Sequence, residues 1–95
     1  MKYKLLDCVT LLEDLPEFEL QTGDIGTIVE VYSPNDFEVE FSAPGGYLAA
    51  LLTINSDWFR PAKEEDFANQ RELAATEHFG SVTRAPAYVS GTNDR

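Results

Sequence analysis

The run Gly23-Asp24-Ile25-Gly26-Thr27-Ile28-Val29-Glu30-Val31-Tyr32 constrains the fold of this chain more than any other stretch. Two glycines three apart allow a turn with positive φ, or a backbone approach closer than a Cβ permits. The β-branched residues that follow suit a pleated, half-buried surface. A glycine turn opening directly into a strand makes the chain mainly β.

The strongest strand signal is Phe37-Glu38-Val39-Glu40-Phe41, apolar on one side and acidic on the other. It lies between the turn clusters Ser33-Pro34-Asn35-Asp36 and Ala43-Pro44-Gly45-Gly46. Further strands are expected over 4–12, 26–32 and 47–54, with a short closing strand at 58–61 ended by Pro61. Asn55-Ser56-Asp57 suits a turn of 3₁₀ helix. With Val29, Val31, Val39 and Phe41 inward, Glu30, Glu38 and Glu40 face outward, and Glu30 lies opposite Glu38 or Glu40. Residues 13–22 form a long acidic loop containing Pro16 and anchored by Phe18 and Leu20; loops of this length often carry function. Five strands with a long first connection fit a small SH3-like β-barrel.

After Pro61 the composition shifts. Lys63 to Phe79 is rich in Glu, Gln, Arg and Ala, which favours a helix. Glu64, Glu65 and Asp66 would complement its dipole, and Gly80 would cap its end. The expected organisation is therefore a barrel over 1–61, a C-terminal α-helix over 62–80 and a flexible tail over 81–95. Phe67 and Leu73 would pack the helix on the barrel or form a partner face.

Ninety-five residues make one domain, and 43% hydrophobic content argues against disorder. The single cysteine, Cys8, cannot form an intrachain disulfide, and no leader-like segment opens the chain, so a cytoplasmic address is expected. Net charge is −10, with −8 of it in residues 1–62. Such a surface repels phosphate backbones and anionic membranes, which disfavours nucleic acid and lipid as partners.

The blocks Leu11-Leu12-Glu13-Asp14-Leu15-Pro16-Glu17, Gly23 to Tyr32, Glu38-Val39-Glu40-Phe41 and Ala50-Leu51-Leu52-Thr53 resemble a family of small bacterial proteins. These proteins are frequent in cyanobacteria and proteobacteria and are described as a domain of unknown function. The resemblance covers about residues 3–61 and implies an SH3-like barrel. It implies no activity and no binding residues. Proteins of this kind also resemble members of two-gene toxin–antitoxin or immunity modules.

No catalytic constellation stands out. His78 is the sole histidine, placed where it would face a helix C-terminus, and Cys8 lies in an apolar strand where a packed residue is expected. Gly23-x-x-Gly26 lacks the lysine of a phosphate loop, and no His/Cys cluster offers a metal site. No cofactor and no enzyme activity are expected. The expected function is a non-catalytic protein-binding module, of antitoxin or immunity type, that neutralises a basic partner. Its binding residues would be Glu30, Glu38 and Glu40, the loop carboxylates Glu13, Asp14 and Glu17, and the anchors Phe67 and Leu73. The alternative is a structural accessory or homodimerising domain of a larger complex. Tyr32, Tyr47 and Trp58 could line a groove, although core and rim packing is the plainer role for them.

Overall fold

In a computed structural model that describes residues 2–88, the alternating segments pair as one sheet. The strands are β1 (Cys8–Leu11), β2 (Ile25–Val31), β3 (Asp36–Ser42), β4 (Leu48–Asn55), β5 (Phe59–Pro61) and β6 (His78–Ser81). Their order is β5-β1-β2-β3-β4-β6, antiparallel except for the β4–β6 pair. The sheet is open, with β5 and β6 at its edges. The expected five strands become six because β6 arises where the sequence pattern predicts a helix end.

One face of this sheet makes the core. Val9, Leu11, Ile28, Phe37, Val39, Phe41, Leu52 and Ile54 are each at most 2% exposed. Each such side chain contributes about 1.5–3 kcal/mol relative to exposure. Tyr3, Phe37 and Phe59 close one end of the core with edge-to-face contacts at 5.1–5.9 Å. Trp58, at the end of the 3₁₀ turn Ser56–Trp58, is buried in the same cluster. The side chain of Asn55 caps that turn by accepting from the Asp57 N–H at 2.7 Å.

The expected inward set on β2 is corrected by a bulge. Ile28 pairs with Val39, but Glu30 pairs with Glu38, so Val29 is the extra residue between them. Ile28 therefore fills the core, while Val31 is 39% exposed. The same bulge carries Glu30 onto the face shared with Glu38.

The expected helix over 62–80 is also corrected. Helix α1 spans only Glu64–Ala68. Its start follows from local chemistry: the Asp66 carboxylate accepts from the Lys63 N–H at 2.7 Å. Its end follows from pattern. Phe67, Leu73 and Phe79 recur every six residues, which places no common stripe on a 3.6-residue helix. A helix without a buried face is marginal at this length. The chain instead runs without regular structure from 69 to 77 and lays β6 along β4, with Gly80 inside that strand rather than capping a helix. Leu73 reaches the core at 8% exposure, and Phe67 remains 43% exposed.

The part of the tail that is described is built into the molecule. Val82 and Pro86 are buried, and residues 89–95 of the expected flexible tail lie outside the described residues. Among the described residues no helix is long and apolar enough to cross a membrane.

Candidate interaction surfaces

Two surfaces gather the charged side chains singled out in the sequence. The first is the outer face of β2 and β3. The bulge at Val29 sets Glu30 directly opposite Glu38, and Glu40 lies one step along, opposite Thr27 on one side and Leu51 on the other. Directly opposed like charges weaken a strand pair by roughly 0.2–1 kcal/mol. Part of the repulsion is relieved at Glu38, whose Oε1 accepts from the Thr53 hydroxyl at 2.7 Å and the Tyr32 hydroxyl at 3.1 Å. The hydrogen bond from Tyr32 to Glu38, reinforced by burial and by the charges of Glu38 and Glu30, raises the Tyr32 phenol above its ordinary pKa. Among the described residues no salt bridge joins Glu30, Glu38 or Glu40 to a cation. The face presents carboxylates, hydroxyls and the exposed side chain of Tyr32 to solvent.

The loop carboxylates expected to share this role do something else. Asp14 folds the loop on itself, accepting from the Thr22 N–H at 2.8 Å and the Thr22 hydroxyl at 3.0 Å. Those two hydrogen bonds, the backbone one foremost, lower its pKa. Glu17 forms a salt bridge with Arg84, which holds the Glu17 carboxyl below the usual range. Glu13 accepts from the Ala87 and Tyr88 N–H groups at 3.0 and 2.9 Å. Glu13 and Glu17 are thus engaged by the chain's own C-terminal segment. Leu73, expected as an anchor, is a core residue, which leaves Phe67 as the exposed one of the pair.

The second surface lies where that segment crosses the end of the sheet. A cleft of about 450 Å³ opens between Thr53, Asn55, Asp57 and Trp58 on one side and Arg84 and Pro86 on the other. The Arg84 guanidinium sits 5.0 Å from the centroid of the Trp58 ring, and the Arg84 carbonyl accepts the indole N–H at 3.0 Å. Trp58 packs the core, and its ring receives the chain's own Arg84. Tyr47, by contrast, is 67% exposed.

Two ion pairs that pattern reading did not single out hold the segment after Pro61 to the sheet. Asp24, 3% exposed, is gripped by Arg71 through Nε and Nη2, both at 2.9 Å, and also accepts from the Gln21 N–H at 2.8 Å. Asp66 is gripped by Arg60 through two 2.8 Å hydrogen bonds and by the Thr10 hydroxyl at 3.2 Å. Arg60 above all, then the Lys63 N–H, drives the Asp66 carboxyl far below the carboxylate range. The partners of these pairs are 6 and 47 residues apart. No local spacing rule connects them; the only signal, and only for Arg71, was its place among four basic residues that follow an acidic segment.

The chemistry-bearing residues stay apart. His78 opens β6, with Nε2 3.1 Å from Glu19 Oε2. Cys8 is half-buried in β1, its Sγ 4.0 Å from the Thr27 hydroxyl. Among the described residues no three His, Cys, Asp or Glu side chains converge as metal ligands.

No curated protein and no solved structure matches the chain. A family model does match, over residues 5–61, and those residues hold β1 to β5 with every member of the β2–β3 acidic face. By that match over more than half its length, the chain belongs to the family described as a domain of unknown function, DUF4926.

Proposed function

We propose that this protein is a non-catalytic protein-binding module whose outer β2–β3 face docks a basic partner. The observation that carries the reading is the Glu30–Glu38 pairing with Glu40 beside it, since a cross-strand carboxylate pair is held at a cost in stability. A lysine or arginine brought by a partner removes that cost and speeds encounter through the chain's net charge of −10. The partner is a protein rather than a nucleic acid or a membrane, both of which carry the wrong sign. An antitoxin or immunity role is the most concrete form of this reading, in a bacterial cytoplasm, with residues 1–61 acting as an SH3-like barrel. The reading needs no cofactor.

A second reading has one observation in its favour. Leu5 and Leu6 are 56% and 75% exposed beside each other, which suits an apolar contact in a homodimer or a larger complex. The two readings diverge in a capture experiment on source-cell extract. Under the proposal, a protein retained by the wild type at low salt elutes at high salt and is not retained by Glu30→Lys/Glu40→Lys. Retention that survives both salt and charge reversal supports the apolar reading instead.

A further inference from the structure

The matched family segment ends at residue 61, and within it β4 is an edge strand. Residues 78–88 lie on that edge in the manner of a bound peptide. β6 adds to β4 in parallel, from Ala50 opposite His78 to Thr53 opposite Ser81, and the Val82 N–H continues the ladder to the Thr53 carbonyl at 2.8 Å. Beyond the ladder the side chains alternate in role. Val82 is buried, Arg84 stacks on Trp58 and pairs with Glu17, and Pro86 is buried. Glu13 then receives two successive backbone N–H groups. Main-chain pairing supplemented by sockets for alternate side chains is the general logic of strand-addition recognition.

We propose that the β4 edge, Trp58, Glu13 and Glu17 form a groove for an extended segment of a basic partner protein. That segment carries an apolar residue, an arginine two positions on and a proline two positions further. Residues 78–88 occupy the groove in cis as a competitor. The proposal shares with the functional reading above only the idea of a protein partner; it uses none of Glu30, Glu38 and Glu40, so either can fail alone.

The sockets argue for the partner's chemistry. The groove offers two carboxylates and an indole face, a setting for a guanidinium. A second copy of this chain is a poor donor, because two chains of charge −10 repel. The cis segment is also separable. The stretch 69–77 has no regular structure, and Leu73 is its one buried residue. The Arg71–Asp24 pair clamps the chain ahead of it, so 78–88 can lift while the preceding tether stays.

The test uses the full chain carrying Val82→Asp and Arg84→Glu, which loosens the cis segment without altering the groove. The probe is a synthetic peptide of residues 78–88, titrated against the fluorescence of Trp58, the sole tryptophan. Cis occupancy reduces apparent affinity by the open fraction, so the double variant binds the peptide at least about tenfold more tightly than the wild type. A peptide with arginine replaced by glutamate loses that binding. Equal binding by wild type and folded double variant overturns the proposal, as does dimerisation of the double variant through its freed edge. If the double variant does not fold, a protease site inserted after Ala75 in the wild type, beyond the Arg71 clamp and Leu73, replaces it. The cut chain must then exchange its own segment for labelled peptide; a cut chain that unfolds, or never exchanges, overturns the groove.

Discussion

At Gly26 a methyl group would stand 2.6 Å from Val39 Cγ1 and 2.9 Å from the Phe41 ring, so this residue is glycine because β2 presses on the core side of β3. Gly23 is glycine for a different reason: its φ is +94°, although a Cβ there would meet nothing within 4 Å. Gly26→Ala is expected to cost about 1–3 kcal/mol in a denaturant melt through overpacking. Gly23→Ala should cost about 1 kcal/mol through backbone strain alone. Asp24→Ala leaves the Arg71 guanidinium and the Gln21 N–H without their acceptor, and is expected to cost about 2–3 kcal/mol. Asp66, with Asp14 and Glu17, contributes to the acid limb. Its folded pKa lies below its unfolded one, so its contribution is present above about pH 4 and is lost as pH falls toward the folded value. Asp66→Asn should be less stable than wild type at about pH 7, and the gap should close on acidification, as read by urea melts across pH.

At the scale of elements, strands were legible and the region after Pro61 was not. The alternation Phe37 to Phe41 fixed one face of β3 directly, because a period of two leaves one choice of inward set. On β2 the same rule chose Val29 and Val31, and a bulge that leaves no trace in residue type moved the core position to Ile28. The pairing of Glu30 with an acidic partner survived that shift because glutamates occupy both candidate positions on β3. Helix propensity misled over 63–79, since Glu, Ala and Arg favour a helix only where a stripe can be buried. The acidic residues Glu13 and Glu17 were legible as a charged loop, but their partners Arg84, Ala87 and Tyr88 lie 67 to 75 residues away. Two outcomes test this level. Glu30→Gln should stabilise the fold by roughly 0.2–1 kcal/mol, because it removes one of two facing charges. In hydrogen exchange, the amides of β6 should open well before those of β3, since the side chains of β6 are mostly exposed.

For the molecule as a whole, charge is distributed unevenly in a way that fold alone does not require. Arg60, Arg71 and Arg84 are each paired with a carboxylate inside the chain, and Glu30, Glu38 and Glu40 are left facing solvent on paired strands. The proposed docking of a basic partner on that face predicts a particular kinetic signature. The measurement is the association rate constant of the captured partner with wild type and with Glu30→Lys/Glu40→Lys, each from low to high salt. The proposal predicts that the wild-type rate falls at least about tenfold as salt screens the field, and that the variant starts slow and changes little. A wild-type rate indifferent to salt, or a variant that associates as fast as wild type at low salt, would contradict it.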